Sequence, residues 1–336
     1  GGDGVTRGGG GSGGGIKITT STLRGSGLIQ ANGGRGSEVT GAGGGGGRIA
    51  LQFVSADEFS FTNLTALGGL FGTAQGTPGT IYLEPSTVPQ GELIVDALGT
   101  NTPNAFTPIY SLAAGVNTDV AANILTDTNA NFVPGSLIGL RLKPNTNQPT
   151  TFRIIANTAT NIVTDPQDGD LTAVATYGST YAAELSVQHF AMRGGAKVDL
   201  VDANQARADR RGRLRAGTAE VVEGSVLSHP KATVTNQVGL ELIVAGELIV
   251  DGSSRIDVSA NGYQGARANS NSGNLGHTFG NTTDGGSNHR NGGSYGGSGA
   301  FGNSGGNTVN ALYGLAENPN EPGSGGGSDN GAAGNG

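Results

Sequence analysis

A single hexapeptide, Gly-Glu-Leu-Ile-Val-Asp, occurs twice in the chain, at residues 91–96 and 246–251. Each copy is a short run with leucine and valine two residues apart, and it ends at a residue type that favours turns. Because side chains of a β-strand alternate between two faces, such a run buries one face only when other strands cover it. The repeat therefore predicts an all-β fold made of many short strands.

The second hexapeptide lies among similar units. Leu240–Gly246, Glu247–Gly252 and Arg255–Gly262 each end in Gly, Asp-Gly or Asn-Gly, which supply the positive φ that a sharp corner needs. These units are only six to eight residues apart, which is too short for a crossover helix and suits strands wound around a common axis. We expect six of their side chains to face one interior: Leu242, Val244, Leu248, Val250, Ile256 and Val258.

Short strands separated by tight corners predict a right-handed parallel β-helix, a solenoid in which each rung buries its apolar face by stacking on its neighbours. A β-sandwich of hairpins is the alternative, and it is less favoured because hairpin strands are usually longer and their turns less uniform. Further short strands are expected at Ile16–Thr19, Gly27–Gly33, Arg48–Phe53, Phe59–Thr62 and Thr80–Leu83.

Residues 104–187 interrupt this pattern with longer runs and several prolines. We expect a small β-barrel-like module there, inserted in one rung, facing outward and built on its own core of Phe132, Leu137, Leu140, Phe152 and Ile154. The predicted organisation is a Gly-rich tract with the first rungs (1–103), the module (104–187), further rungs (188–260) and a second Gly-rich tract (261–336).

Glycine makes up 64 of the 336 residues, against about 7% in an average protein. Ordering so much glycine costs backbone entropy, which close packing must offset. We expect either polyproline-II-like segments packed side by side, where glycine lets backbones approach, or tight loops held against the solenoid.

Composition excludes several classes of protein. The chain has no cysteine, which excludes a disulfide scaffold and a thiolate metal site. Its net charge of −7 argues against general nucleic-acid binding, which needs a basic face. Apolar runs of only a few residues argue against insertion in a membrane.

Several motifs together resemble those of Gly-rich repeat proteins of bacterial cell surfaces, the filamentous-haemagglutinin-like adhesins. They are Gly11–Ile18, Gly27–Gly34, Gly43–Leu51, Gly76–Leu83 and Gly91–Asp96. The resemblance covers about two thirds of the chain. It implies a surface-exposed parallel β-helix, and it carries over no catalytic residue because the family has none in common.

Some β-helix proteins cleave glycosides, which needs two carboxyl groups roughly 5–9 Å apart. The candidates are the pair Asp199 and Asp202 and the pair Asp251 and Asp257, with corner capping or pairing to arginine as the alternative. No acid stands beside a suitable histidine or aromatic residue in the sequence, and tryptophan is absent. We therefore expect that the chain is not an enzyme and has no catalytic residue.

Two charged clusters remain. One is a basic patch of Arg207, Arg210, Arg211, Arg213 and Arg215, which fits ion pairing with a neighbouring rung or subunit better than it fits an acidic polysaccharide. The other is the loop with Asp165, Asp168 and Asp170, a weak calcium candidate that is more simply a solvated turn. No other cofactor is expected.

The sequence thus favours a structural repeat unit of an extracellular filament or cell-surface adhesin shaft that assembles head to tail with itself. Its Gly-rich ends, Gly1–Val5 and Gly331–Gly336, would join into one tract, so the units are either covalent repeats or stacked copies. Polysaccharide or a neighbouring cell surface is a further possible partner. The alternative is a β-helix that binds or cleaves carbohydrate.

Overall fold

The computed structural model describes residues 1–37, 40–70, 75–88, 90–100, 105–303 and 308–336. Regular structure in these residues is almost all β, and the helices are 3-10 turns at Phe61–Asn63, Pro166–Asp168 and Leu171–Ala173. None of these described helices is long or apolar enough to cross a membrane. The strands are β1 Gly15–Thr22, β2 Ile29–Gln30, β3 Arg48–Ser55, β4 Leu64–Thr65, β5 Thr80–Pro85, β6 Glu92–Asp96, β7 Thr107–Val116, β8 Asp119–Val120, β9 Ile124–Thr126, β10 Arg141–Lys143, β11 Phe152–Asn157, β12 Asn161–Thr164, β13 Thr180–Arg193, β14 Lys197–Asp202, β15 Asp209–Val221, β16 Val226–Ser228, β17 Gln237–Val244, β18 Leu248–Val250 and β19 Arg255–Ile256.

The first part of the solenoid, residues 15–85, is called the first stack. Its strands β1, β3 and β5 pair in parallel, with Ile16 opposite Ile49 and Ile49 opposite Ile81, so successive turns take 33 and 32 residues. Alternate side chains of these strands point inward and form one apolar core. The buried members of this core are Ala31, Ile49, Leu51, Phe53, Phe59, Leu64, Ala66, Ile81 and Leu83.

The second stack consists of residues 92–111 and 185–256. One of its sheets runs in parallel from β6 through the last half of β13 and β15 to β17 and β18. The other runs from the first half of β7 through β14 and β16 to β19. Leu214 lies opposite Leu185 on one side and Leu242 on the other, 29 and 28 residues away. The large apolar side chains between the two sheets form a second core.

These stacks confirm the predicted all-β solenoid, which has about seven turns. A turn takes about 30 residues, and β17, β18 and β19 are successive sides of a single turn, the last of the second stack.

The direction of the strands reverses between the stacks. β5 pairs antiparallel with β6, with Leu83 opposite Glu92, Tyr82 opposite Leu93 and Ile81 opposite Ile94. Directly opposed residues share a face of the sheet. Leu83 points into the first core whereas Glu92 points away from the second, so the two cores lie on opposite faces of one continuous sheet. This S-shaped arrangement was not predicted.

The predicted inserted module is present. β7 and β13 leave the solenoid side by side, with Leu112 opposite Ala183, and the intervening strands pair antiparallel. The five predicted core residues are all buried in one cluster. The module is slightly smaller than expected, because Thr107–Ser111 pair with β14 and residues from Leu185 onward pair with β15.

The N-terminal Gly-rich tract packs extended segments side by side. The backbone N–H of Gly34 donates to Gly11, that of Gly44 to Gly34 and that of Gly69 to Gly44, at 2.7–3.0 Å. A Cβ on any of these donors would collide with a carbonyl of a neighbouring segment. Close approach of glycine backbones therefore offsets the cost of ordering the tract, as the side-by-side arrangement predicted.

The C-terminal tract, residues 261–336, is held together by polar side chains. Asn310 is 4% exposed and bonds Thr278, Ser287, Ser294 and Ser324. Main-chain bonds from Gly262 to Gly336 and from Gly325 to His277 connect distant parts of the tract. The tract therefore has a buried core of amides and hydroxyls in place of the apolar core of the solenoid.

Candidate functional site

The predicted arginine patch lies on β15 and the turn before it. Arg213 pairs with Glu241 of the next turn at 2.7 Å, and Arg215 pairs with Glu184 of the preceding strand at 3.3 Å. Arg211 contacts Asp209, whereas Arg207 and Arg210 lie near the buried Asp202. The arginines thus pair with carboxylates within the chain, mainly across neighbouring strands, which is the arrangement that ion pairing between rungs predicts.

The three aspartates of the calcium candidate serve the local backbone. Asp165 accepts from the N–H of Gln167, Asp170 accepts from the N–H of Thr172, and Asp168 pairs with Arg141 at 3.2 Å. The first two therefore begin the short helical turns of this loop. Within the described ranges, no group of three acidic or histidine side chains is arranged to hold a metal ion.

The candidate acids on β14 lie on opposite faces of the strand, since Asp199 and Asp202 are three residues apart. Burial raises the pKa of each to about 6. Oδ1 of Asp202 accepts from the N–H of Asn204. Oδ2 of Asp202 and Oδ1 of Asp199 are buried with no hydrogen-bond partner in the described part of the chain. The pair cannot act on one substrate from the two sides of a sheet.

The other candidate acids complete corners. Asp251 accepts from the backbone of Glu223 and Ser253, and these hydrogen bonds hold its pKa well below the ordinary value. Asp257 pairs with Arg255 at 3.1 Å. Both carboxylates are therefore engaged in capping, which was the alternative interpretation. His277 and His289 bond separately to Asn281 and Asp329.

The expectation that no acid lies beside a histidine was wrong. On the outer face of the second stack, Nε2 of His189 lies 3.8 Å from Glu92 and 3.9 Å from Glu220. Arg193, four residues along β13, pairs with the same two carboxylates at 3.7 and 2.7 Å. We call these four residues the outer-face cluster. Sequence reasoning missed it because its members, on β6, β13 and β15, are separated by up to 128 positions.

The outer-face cluster borders a cavity of about 370 Å³ at the junction of the two stacks, which we call the junction cavity. Its lining includes Phe53 and Leu83 of the first core and the exposed Phe61, and the two phenylalanine rings have centroids 5.8 Å apart. Glu92 and His189 contribute polar side chains to the same lining. The reversal at β5 and β6 creates this cavity, because it places the inside of one stack against the outside of the other.

A larger groove of about 630 Å³ follows the stacked corners of the second stack. Its carboxylates are used by the turns: Asp96 accepts from the N–H of Leu98 and Glu223 from the N–H of Gly194. Much of the remaining lining is glycine. The junction cavity is the better candidate for a ligand site because its lining combines aromatic and polar side chains.

The last turn of the second stack is an open edge. Four of the six side chains that we expected in the interior are exposed instead, namely Leu248 (42%), Val250 (41%), Ile256 (39%) and Val258 (45%), and only Leu242 and Val244 pack on the core. Ile249, on the outer face, is 44% exposed. The reason is position: β17 and β18 pair with β15, β19 pairs with β16, and no other described strand covers their free edges.

Comparisons with known proteins identify no relative. No protein-family model, curated protein or solved structure matches this chain. The function must therefore be inferred from the open edge and the junction cavity.

Proposed function

We propose that the chain is a structural unit of an extracellular filament or cell-surface adhesin shaft, that it binds further copies of itself through the ends of its solenoid, and that it is not an enzyme. The observation that carries the proposal is the open edge at β17, β18 and β19. Unpaired backbone groups beside exposed apolar side chains form a template for another strand, and soluble proteins usually protect such edges with charge, proline or a covering element.

The composition of the edge supports assembly. Leu248, Ile249 and Val250 are three consecutive apolar residues, all more than 40% exposed. The second Gly-rich tract packs near Ala232 and on Gln237, the first residue of β17, and leaves Leu248, Ile249 and Val250 exposed. A contact between different ends of identical units produces a filament when the rotation between the units does not close into a ring. Polysaccharide or another cell surface would then meet the sides of the shaft.

Assembly is tested by sedimentation and electron microscopy of the purified chain over a range of concentrations. We expect filaments from the natural sequence and none from Ile249→Lys, because a charge on the edge opposes strand addition. Leu312→Lys is the matched control, since Leu312 is also exposed but lies in the second Gly-rich tract. A natural sequence that stays monomeric, or an Ile249→Lys variant that assembles normally, would overturn the proposal.

The junction cavity supports a second candidate function, binding of a carbohydrate. A sugar ring has an apolar face that packs on aromatic rings and hydroxyls that bond carboxylates, arginine and histidine. The cavity lining contains Phe53 and Phe61 together with Glu92, His189 and Arg193. Its volume lies within the range of about 300–1,000 Å³ that is typical of small-molecule sites.

Carbohydrate binding is tested by titrating defined oligosaccharides, neutral and acidic, into the chain and into Phe61→Ala. Loss of an aromatic ring should weaken binding at least about tenfold, which corresponds to about 1.4 kcal/mol. Phe301→Ala is the control, because Phe301 is exposed and distant from the cavity lining. Release of new reducing ends would show cleavage, whereas the absence of binding to any oligosaccharide would exclude this candidate.

A further inference from the structure

The two copies of the repeated hexapeptide occupy equivalent places in the second stack. The register runs from Leu93 to Phe190, from Phe190 to Ala219 and from Ala219 to Leu248, so the two leucines stand in one column, three turns apart. Glu92 and Glu247, and likewise Ile94 and Ile249, are equivalent in the same way. One copy is the first strand of the stack and the other lies in its last turn.

The first copy shows how this sequence is covered. β5 pairs antiparallel with it, Tyr82 packs on the second core beside Leu93, and Ile94 packs on the first core beside Ile81. Leu93 is consequently only 6% exposed. The second copy has the same side chains in the same orientation and no such covering strand among the described residues.

A strand equivalent to β5 is present at the opposite edge of the same sheet. β1 is aligned with β3 and β5 so that Ile16, Ile49 and Ile81 are in register, as are Ile18, Leu51 and Leu83. β1 pairs only with β3 in the described part of the chain. β1 runs parallel to β5, β18 runs parallel to β6, and β5 is antiparallel to β6. A second copy placed beyond the open edge therefore presents its β1 antiparallel to β18 of the first copy.

We propose that β18 of one copy pairs antiparallel with β1 of a second copy, in the register that β6 and β5 already use within the chain. Ile249 then faces Ile16, Leu248 faces Lys17, and Glu247 faces Ile18. This inference rests on the proposed self-assembly and specifies its interface. Ile249 packs on the first core of the second copy as Ile94 does on its own, and the alkyl stem of Lys17 covers Leu248 in the place of Tyr82.

The register is tested with engineered disulfides, for which the chain is well suited because it has no cysteine. Ile16 and Ile249 lie at opposite edges of the sheet, six strand spacings or about 29 Å apart, so a disulfide between them must join two copies. We expect the double variant Ile16→Cys with Ile249→Cys to give a ladder of disulfide-linked multimers on oxidation. The control variant, Lys17→Cys with Ile249→Cys, moves one cysteine by one residue to the other face of the sheet. It should give at least tenfold fewer disulfide-linked multimers.

Each outcome is decisive. Dimers from Ile249→Cys alone would show edge-to-edge pairing about a two-fold axis and overturn the β1 interface. Filaments without cross-links in the double variant would overturn the register while leaving the proposed assembly intact, whereas a monomeric natural sequence would remove both. As a measurement without substitutions, assembly should slow hydrogen exchange at residues 16–18 and 247–250 together, and unchanged exchange at 16–18 in filaments would also overturn the interface.

Discussion

Leu93 and Leu248 stand in the same column of the second stack and belong to the same hexapeptide, yet Leu93 is 6% exposed and Leu248 42%. The difference comes from β5, which covers the first strand of the stack, and from the absence of an equivalent strand over β18 among the described residues. The same hexapeptide therefore contributes a buried leucine to the core in the first strand of the stack and an exposed leucine in the last turn.

We predict that the same substitution destabilises the chain far more at Leu93 than at Leu248. Leu93→Asp should destabilise the monomer by about 3 kcal/mol or more, because it buries an unpaired carboxylate. Leu248→Asp should change the free energy of unfolding by only about 0.5 kcal/mol, because the side chain stays in water. Denaturant unfolding at concentrations below assembly measures both, and equal losses would show that the edge is covered in the monomer.

Neighbouring glycines of the N-terminal tract should respond differently to alanine. A Cβ at Gly44 would collide with the carbonyl of Gly11, whereas a Cβ at Gly45 meets nothing within 4 Å. We expect Gly44→Ala to separate the packed segments and accelerate amide exchange throughout the tract. Gly45→Ala should be neutral or stabilise by roughly 0.4–1 kcal/mol, because it restricts the unfolded chain. Hydrogen exchange distinguishes the two, and protection retained in Gly44→Ala would contradict the packing.

Stability should fall as the pH rises from about 4 to about 6. The pKa of Asp199 is raised by burial to about 6, whereas an unfolded aspartate titrates near about 3.9, so in this interval the folded chain binds more protons than the unfolded chain. Asp199→Asn should therefore increase stability at pH 7 by about 1–2 kcal/mol and reduce the slope. Stability of this variant should still fall somewhat as the pH rises, because burial raises the pKa of Asp202 as well.

The control for this pH effect is Asp251→Asn. Hydrogen bonds lower the pKa of Asp251, so its stabilising contribution is present above the unfolded pKa and is lost as the pH falls. Its replacement should not increase stability at pH 7. Thermal unfolding of both variants between pH 4 and 8 measures the effect, and a natural chain whose stability rises with pH in step with the Asp199→Asn variant would refute the assignment.

The inserted module should be removable. Leu112 and Ala183 are opposite each other on paired strands, so joining them through an Asn-Gly turn closes the chain without altering the paired residues Thr107–Ser111 or Leu185 and beyond. We expect the shortened chain to keep its β circular dichroism and cooperative unfolding. The shortened chain loses the contacts that Ala203 and Asn204 make with the module. Collapse of the β signal would show that the solenoid depends on the module.

Much of the architecture follows from the sequence alone. Short runs such as Glu92–Asp96, closed by turn residues, bury one face by stacking, which favours an all-β solenoid over a sandwich of hairpins. Apolar residues such as Phe132 and Ile154, in longer runs, identify the module and its core. The density of glycine likewise implies that the tracts, if ordered, need close packing to offset the backbone entropy that is lost.

Tertiary structure decided what each repeat does. A strand does not encode which turn it occupies, so the sequence could not distinguish the buried Leu93 from the exposed Leu248. The reversal between β5 and β6 depends on how two stacks meet, and it alone brings Phe61 near His189 to form the junction cavity. The cluster of Glu92, His189 and Glu220 depends on the register between turns, because residues distant in the chain become neighbours only after the strands have stacked.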